Sequence, residues 1–198
     1  MLDKSIPFFG VIMCKTDTQS YPHCSLPEGY HFSGYQPGFE KEWAKTMYML
    51  DQTDTLTAAE ELFHREFFSR PELLPKQCLF VLDDAGTIAA TASLWHGEHF
   101  GKTLPRIHWV AAAPEHQGKG LCKALLTKLM DTYNELGLGD FVYLTTQTWS
   151  YKAINIYRHF GFHAYTGEKP VNWKLDHFDG ENQKAWQIID EKISEYSV

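Results

Sequence analysis

Gln117-Gly118-Lys119-Gly120-Leu121-Cys122 lies between an apolar run and a long amphipathic pattern. The run is Ile107-His108-Trp109-Val110-Ala111-Ala112-Ala113, and the pattern carries Leu121, Leu125, Leu126, Leu129, Met130 and Tyr133 at three- and four-residue steps. The order predicts a strand, a glycine turn and a helix start. Glycines let the main chain take positive φ and approach a ligand closely. The leading N–H groups of a helix carry partial positive charge, so this turn is expected to bind an anionic group such as a phosphate. Its spacing excludes two nucleotide loops. A G-x-x-x-x-G-K-[ST] loop fails because Gly120 follows Lys119, and G-x-G-x-x-G fails because its third glycine position holds Lys123.

Outward from the turn, the chain of 198 residues reads as one domain, 43% apolar with a formal charge of -7. That charge argues against nucleic acid, which favours basic proteins. It is compatible with a cationic amine. Cys14, Cys24, Cys78 and Cys122 form no C-x-x-C pair, and no histidine completes a zinc spacing. Reduced thiols and no metal are expected. Ile6 to Met13 is too short to span a bilayer and lacks the flanks of a signal peptide. A cytoplasmic protein without membrane partners is the expectation.

Strands are expected at Phe8–Lys15 (an extra edge element), Tyr30–Tyr35, Cys78–Leu82, Thr87–Trp95, Arg106–Ala113, Phe141–Thr146 and near His163–Thr166. Asp83-Asp84-Ala85-Gly86 should close a hairpin. Helices are expected over Phe39–Leu50, over 117–135 and over 150–160. Another follows Thr57-Ala58-Ala59-Glu60, read as a capping box, with Leu62, Phe63, Glu66 and Phe67 behind it and Pro71 and Pro75 ending it. Trp186, Ile189 and Ile193 mark a C-terminal helix from Gln183 to Tyr196. The sum is an α/β order whose N-terminal half is mostly antiparallel.

Two blocks carry a family resemblance. The hexapeptide resembles the (Gln/Arg)-x-x-Gly-x-(Gly/Ala) pyrophosphate loop of the GCN5-related N-acetyltransferases: Gln117 and Gly120 match, and Cys122 departs from the usual small residue. Downstream, Ser150, Ala153, Tyr157, Gly161 and Phe162 are similar to that family's (Asn/Ser)-x-x-Ala-x-x-x-Tyr signature and its Gly-Phe helix end. The blocks stand in the family's order, with one helix and one strand between them. The resemblance covers about residues 28 to 166 of a single domain spanning 1–198.

The resemblance implies a mixed central sheet with splayed parallel strands, flanked by helices, and acetyl-CoA as cosubstrate. The main chain of Val110, Ala111 and Ala112 would lie along the pantetheine and acetyl group. Gly118, Lys119, Gly120, Leu121 and Cys122 would meet the pyrophosphate, with Gln117 at the head of the loop. Tyr157 would protonate the leaving thiolate, its phenol proton lying uphill of a thiol's by only ~2 kcal/mol. A plain packing role is the competing reading of Tyr157. Ser150 would cap its helix, with a cofactor contact as the weaker reading. A helix N-terminus tends to lower a thiol pKa, which makes Cys122 a candidate reactive thiol, although a small residue tolerated beside phosphate is the simpler account.

A base for the amine could be His108 on the strand, or His96, Glu98 or His99 in the loop after Trp95. The implied reaction is direct attack of a primary amine on the thioester, the acceptor being a small molecule or a peptide. A homodimer is admitted. The alternative from another class is a non-catalytic acyl-CoA-binding sensor; a nucleotide-dependent kinase lacks its lysine loop and acidic metal motifs.

Overall fold

The computed structural model describes residues 2–173 and 178–196. Its strands are β1 (Gly10–Lys15), β2 (Tyr30–Gly34), β3 (Cys78–Asp83), β4 (Ile88–Gly97), β5 (Leu104–Ala112), β6 (Val142–Gln147) and β7 (His163–Ala164). They form one mixed sheet in the order β2-β3-β4-β5-β6-β1-β7. The helices are α1 (Phe39–Met49), α2 (Leu56–Phe67), α3 (Leu74–Gln77), α4 (Leu121–Glu135), α5 (Tyr151–His159) and α6 (Phe178–Tyr196). Among the described residues no helix is long and apolar enough to cross a membrane.

The chain packs as two compact units, one holding His23–Trp95 and His108–Gly137, the other Leu2–Pro22, His96–Ile107 and Leu138–Val198. In the first, β2, β3 and β4 pair antiparallel. Asp83 closes the β3–β4 hairpin: its Oδ1 accepts from the N–H of Ala85 and Thr87, and Gly86 takes φ 78. Apolar residues at helical steps give α1 and α2 one buried face each, Trp43, Ala44 and Met47 against Ala59, Leu62, Phe63 and Phe67. Burying one such large side chain contributes about 1.5–3 kcal/mol. The rings also meet edge to face, Trp43 and Phe63 at 5.2 Å between centroids.

In the second unit β1 pairs antiparallel with β6 on one side and β7 on the other. The expected edge strand is therefore interior. Its run Val11-Ile12-Met13 is wholly buried, as a strand covered on both faces must be. β5 and β6 meet in a parallel ladder of Arg106 with Tyr143 and Ile107 with Leu144. The C-terminal helix starts earlier than its sequence pattern indicates, at Phe178, and packs on β1 and α5.

The N-cap of α2 is Thr55, whose hydroxyl accepts from Ala58 N–H, so the box at Thr57 lies inside the helix. Thr55 holds the extended backbone that a cap requires. Pro71 and Pro75 do not end α2, which stops at Phe67. Each lies at the start of a new short helix, where a missing N–H costs nothing.

Candidate functional site

In the first unit β5 runs through Ala112 into a single 3-10 turn, Pro114–His116, and then the glycine turn. Gln117 reaches back, its Nε2 donating to the Ala112 carbonyl at 3.2 Å. Gly118 and Gly120 take φ 78 and 80, the left-handed region that glycine alone adopts cheaply. Among the described residues, a Cβ built on either would meet nothing within 4 Å. The glycines are thus required by conformation, and the space beside them is open.

Helix α4 starts at Leu121, four residues later than the pattern suggests, because these left-handed residues cannot continue a helix. Gly120 is its N-cap, with no side-chain cap bond and no acidic residue in the first turn. The leading N–H groups and the positive end of the dipole therefore face no carboxylate of their own helix.

Lys119 is anchored rather than loose. Its Nζ donates to Tyr30 Oη at 2.9 Å, so the phenol proton is directed to His116 Nδ1, also at 2.9 Å. His116 Nε2 then faces Asp83 at 3.9 Å. Cys122 follows the opposite course to a reactive thiol. Burial pushes it up to about 11, so desolvation outweighs the helix end and the thiol is protonated at neutral pH.

Val110, Ala111 and Ala112 are half-buried on β5. Just before them, Trp109 takes φ 50. That conformation costs a bulky residue on the order of 1–3 kcal/mol. The indole N–H groups of Trp109 and Trp43 are buried without an acceptor among the described residues, and their rings lie 5.4 Å apart. An unpaired buried donor costs about 1–3 kcal/mol more. Strain and unmet polar demand coincide at one place beside His108. His108 Nε2 lies 2.8 Å from Glu66 Oε2 of α2.

In the second unit Tyr157 is buried on α5, its ring 6.3 Å from that of Phe162. Helix α5 enters through the 3-10 turn Thr148–Ser150. Ser150 stands at the N-cap position but makes no side-chain cap bond, which corrects the expected capping role. Its φ of -99 and ψ of 25 continue the 3-10 turn and are not the extended cap geometry.

Of the other candidate bases, His99 is lowered by burial and by Arg106, and its Nδ1 meets Tyr143 Oη at 3.0 Å. Glu98 accepts from Thr103 at 3.2 Å. A Cβ on Gly97 would strike the Tyr143 hydroxyl, so glycine is required there.

Sequence reasoning missed Glu66 as the partner of His108, Tyr30 as the anchor of Lys119, and the left-handed Trp109. For Glu66 a signal existed: it follows Leu62 by four residues, on the apolar face of α2. A carboxylate there requires a partner.

No curated protein matches the chain. Among solved structures it is similar to a GCN5-related N-acetyltransferase from Sphaerobacter thermophilus, at 22% identity and TM-score 0.58, over 79% of this chain and 48% of that one. It is also similar to a GNAT-family acetyltransferase from Colwellia psychrerythraea, at 13% identity and TM-score 0.59, over 81% of this chain and 55% of that one. The chain thus spans about half the length of these two. Glucosamine-6-phosphate N-acetyltransferase from Arabidopsis thaliana is matched over its whole length, at 20% identity and TM-score 0.53, by 75% of this chain. These likenesses establish the fold. A family model, the acetyltransferase (GNAT) family, matches residues 39–162 and so includes the glycine turn, the helix behind it and the Ser150–Phe162 block; the chain belongs to that family.

Proposed function

We propose that this protein transfers an acetyl group from acetyl-CoA to a primary amine by direct attack. The observation that carries the reading is the glycine turn: two left-handed glycines, open space beside both, and a helix start without side-chain cap or acid. Such a turn suits a diphosphate. Gly118, Lys119, Gly120, Leu121 and Cys122 would hold that group through the main chain, with Gln117 supporting the turn from Ala112 and Lys119 adding a cation held by Tyr30. Val110, Ala111 and Ala112 would line the acyl arm, their small or branched side chains leaving the main chain approachable. A cofactor contact by Ser150 belongs to the same reading; with no cap bond to make, its hydroxyl is not committed to the helix end.

Acetyl-CoA supplies the thioester; the protein moves protons. An ammonium must lose a proton before its nitrogen can attack, and His108 is the base assigned to accept it. Tyr157 gives its phenol proton to the departing sulfur. Two protons leave the nitrogen in all. One goes to His108 and then to solvent, and the other restores the phenol.

A panel of primary amines with saturating acetyl-CoA and a free-thiol readout tests this. Turnover with at least one amine is expected. Tyr157→Phe should lower kcat on the order of 100-fold while leaving acetyl-CoA affinity intact. Binding without turnover of any amine would favour an acyl-CoA sensor instead. Unchanged kcat in Tyr157→Phe would remove the acid role.

A further inference from the structure

We infer that Glu66 is a positioning residue that fixes the proton-accepting nitrogen of His108. The inference rests on the reading of His108 as the base.

Helix α2 buries Ala59, Leu62, Phe63 and Phe67. Glu66 falls on that same face, where an apolar residue would pack at lower cost. It is half-buried, with 23% of its side chain exposed against 12% for His108. A carboxylate so placed must be paired, and Oε2 meets His108 Nε2 at 2.8 Å. An ionised carboxylate can only accept, so Nε2 carries the hydrogen and donates it. The lone pair then resides on Nδ1, the basic atom of the neutral ring. The tautomer follows from the partner.

The surrounding rings fix the orientation. Phe67, next to Glu66 on α2, lies 6.2 Å from the His108 ring. The Trp109 ring lies 5.2 Å from it, tilted by 50°. Successive residues of a strand normally point to opposite faces. The left-handed φ of 50 at Trp109 breaks that alternation, and Trp109 meets Trp43 of α1 while His108 meets α2. A kink at a strand residue that re-aims a side chain is a device common beside active sites.

The proton step balances simply. An N–H bond of the alkylammonium breaks and an Nδ1–H bond forms on His108. The electron pair stays on the amine nitrogen for attack. Glu66 keeps its charge and offsets that of the imidazolium, as the carboxylate partner of a catalytic histidine does.

The test uses the full chain and an amine that the wild type turns over. Nitrogen-15 NMR of the histidine side chains should show His108 as the Nε2–H tautomer in the wild type. Glu66→Gln, close in shape but uncharged, should mix the tautomers. It should also lower kcat by on the order of 100-fold, the low end of what a general base contributes. KM for acetyl-CoA should stay within about two-fold, and the acidic limb of kcat/KM should move to lower pH because the offsetting charge is gone. In a His108→Ala background, Glu66→Gln should add little further loss.

An Nδ1–H tautomer in the wild type overturns the inference with no variant needed. So does a Glu66→Gln protein with unchanged tautomer and unchanged pH limb, whatever happens to its melting temperature. Failure of the wild type to acetylate any amine would instead sink the parent reading, while the NMR arm would still report on the Glu66–His108 pair.

Discussion

Helices α4 and α5 both begin in short turns, yet the two turns are built differently. Both lack a side-chain cap and a first-turn acid, but the α4 start is open: Gly118 and Gly120 are left-handed, with free space among the described residues where a Cβ would sit. The α5 start is closed. Thr148 is fully buried, its hydroxyl accepts from Phe9 N–H and donates to the Pro7 carbonyl, and Trp149 Nε1 donates to Ile6 O at 2.7 Å. The N-terminal segment takes up the polar side-chain groups of this turn. The side chains of the α5 turn are committed to the N-terminal segment, and Tyr157 stands on the helix behind them.

Substitutions at the two starts should therefore separate binding from stability. The largest effect is expected from Gly120→Val, which forces a β-branched residue to φ 80 and puts methyl groups on the open side. Acetyl-CoA should bind about 30- to 100-fold more weakly by calorimetry, equivalent to ~2–3 kcal/mol. A loss confined to thermal stability would break the comparison at its open end. Thr148→Val should do the reverse. Urea unfolding should register about 1–3 kcal/mol of lost stability from unpaired buried groups, with acetyl-CoA affinity unchanged.

A smaller effect is expected from pH. His99 is held below its ordinary value of 6.5 by burial and by Arg106. The unfolded chain then binds more protons than the native one as pH falls through that value. Stability should therefore be complete above about pH 6.5 and decline as the pH falls below it. Melting curves from pH 7.5 to 5.5 should show a shallower decline in His99→Gln than in the wild type. Smallest of all, Ser150→Ala should change stability by less than about 0.5 kcal/mol, since no cap bond is lost. A loss of a full cap's worth, about 1 kcal/mol, would contradict the described geometry.

Much of this architecture was legible from residue patterns because it depends on local physics. Glycine at 118 and 120 announces positive φ, and three- and four-residue apolar steps announce α1, α2 and α4. What stayed hidden depends on partners remote in sequence. The apolar run of β1 does not reveal that the short β7 covers its outer edge. Nothing local marks Trp109 as left-handed, since a bulky residue adopts φ 50 only when its surroundings impose it. Glu66 and His108 lie 42 residues apart, and only the misplaced charge on the α2 face hinted at a partner. Ser150 was misread because a 3-10 turn ahead of a helix looks, in sequence, like a helix with a polar cap.

The central claim is that the open α4 start binds the diphosphate of acetyl-CoA. Calorimetric titration of the wild-type chain with acetyl-CoA, run beside ATP, tests it most directly. The account predicts saturable binding of acetyl-CoA that Gly120→Val weakens and Thr148→Val does not, with ATP far weaker. No heat of binding from acetyl-CoA, or equal binding of ATP, would contradict it.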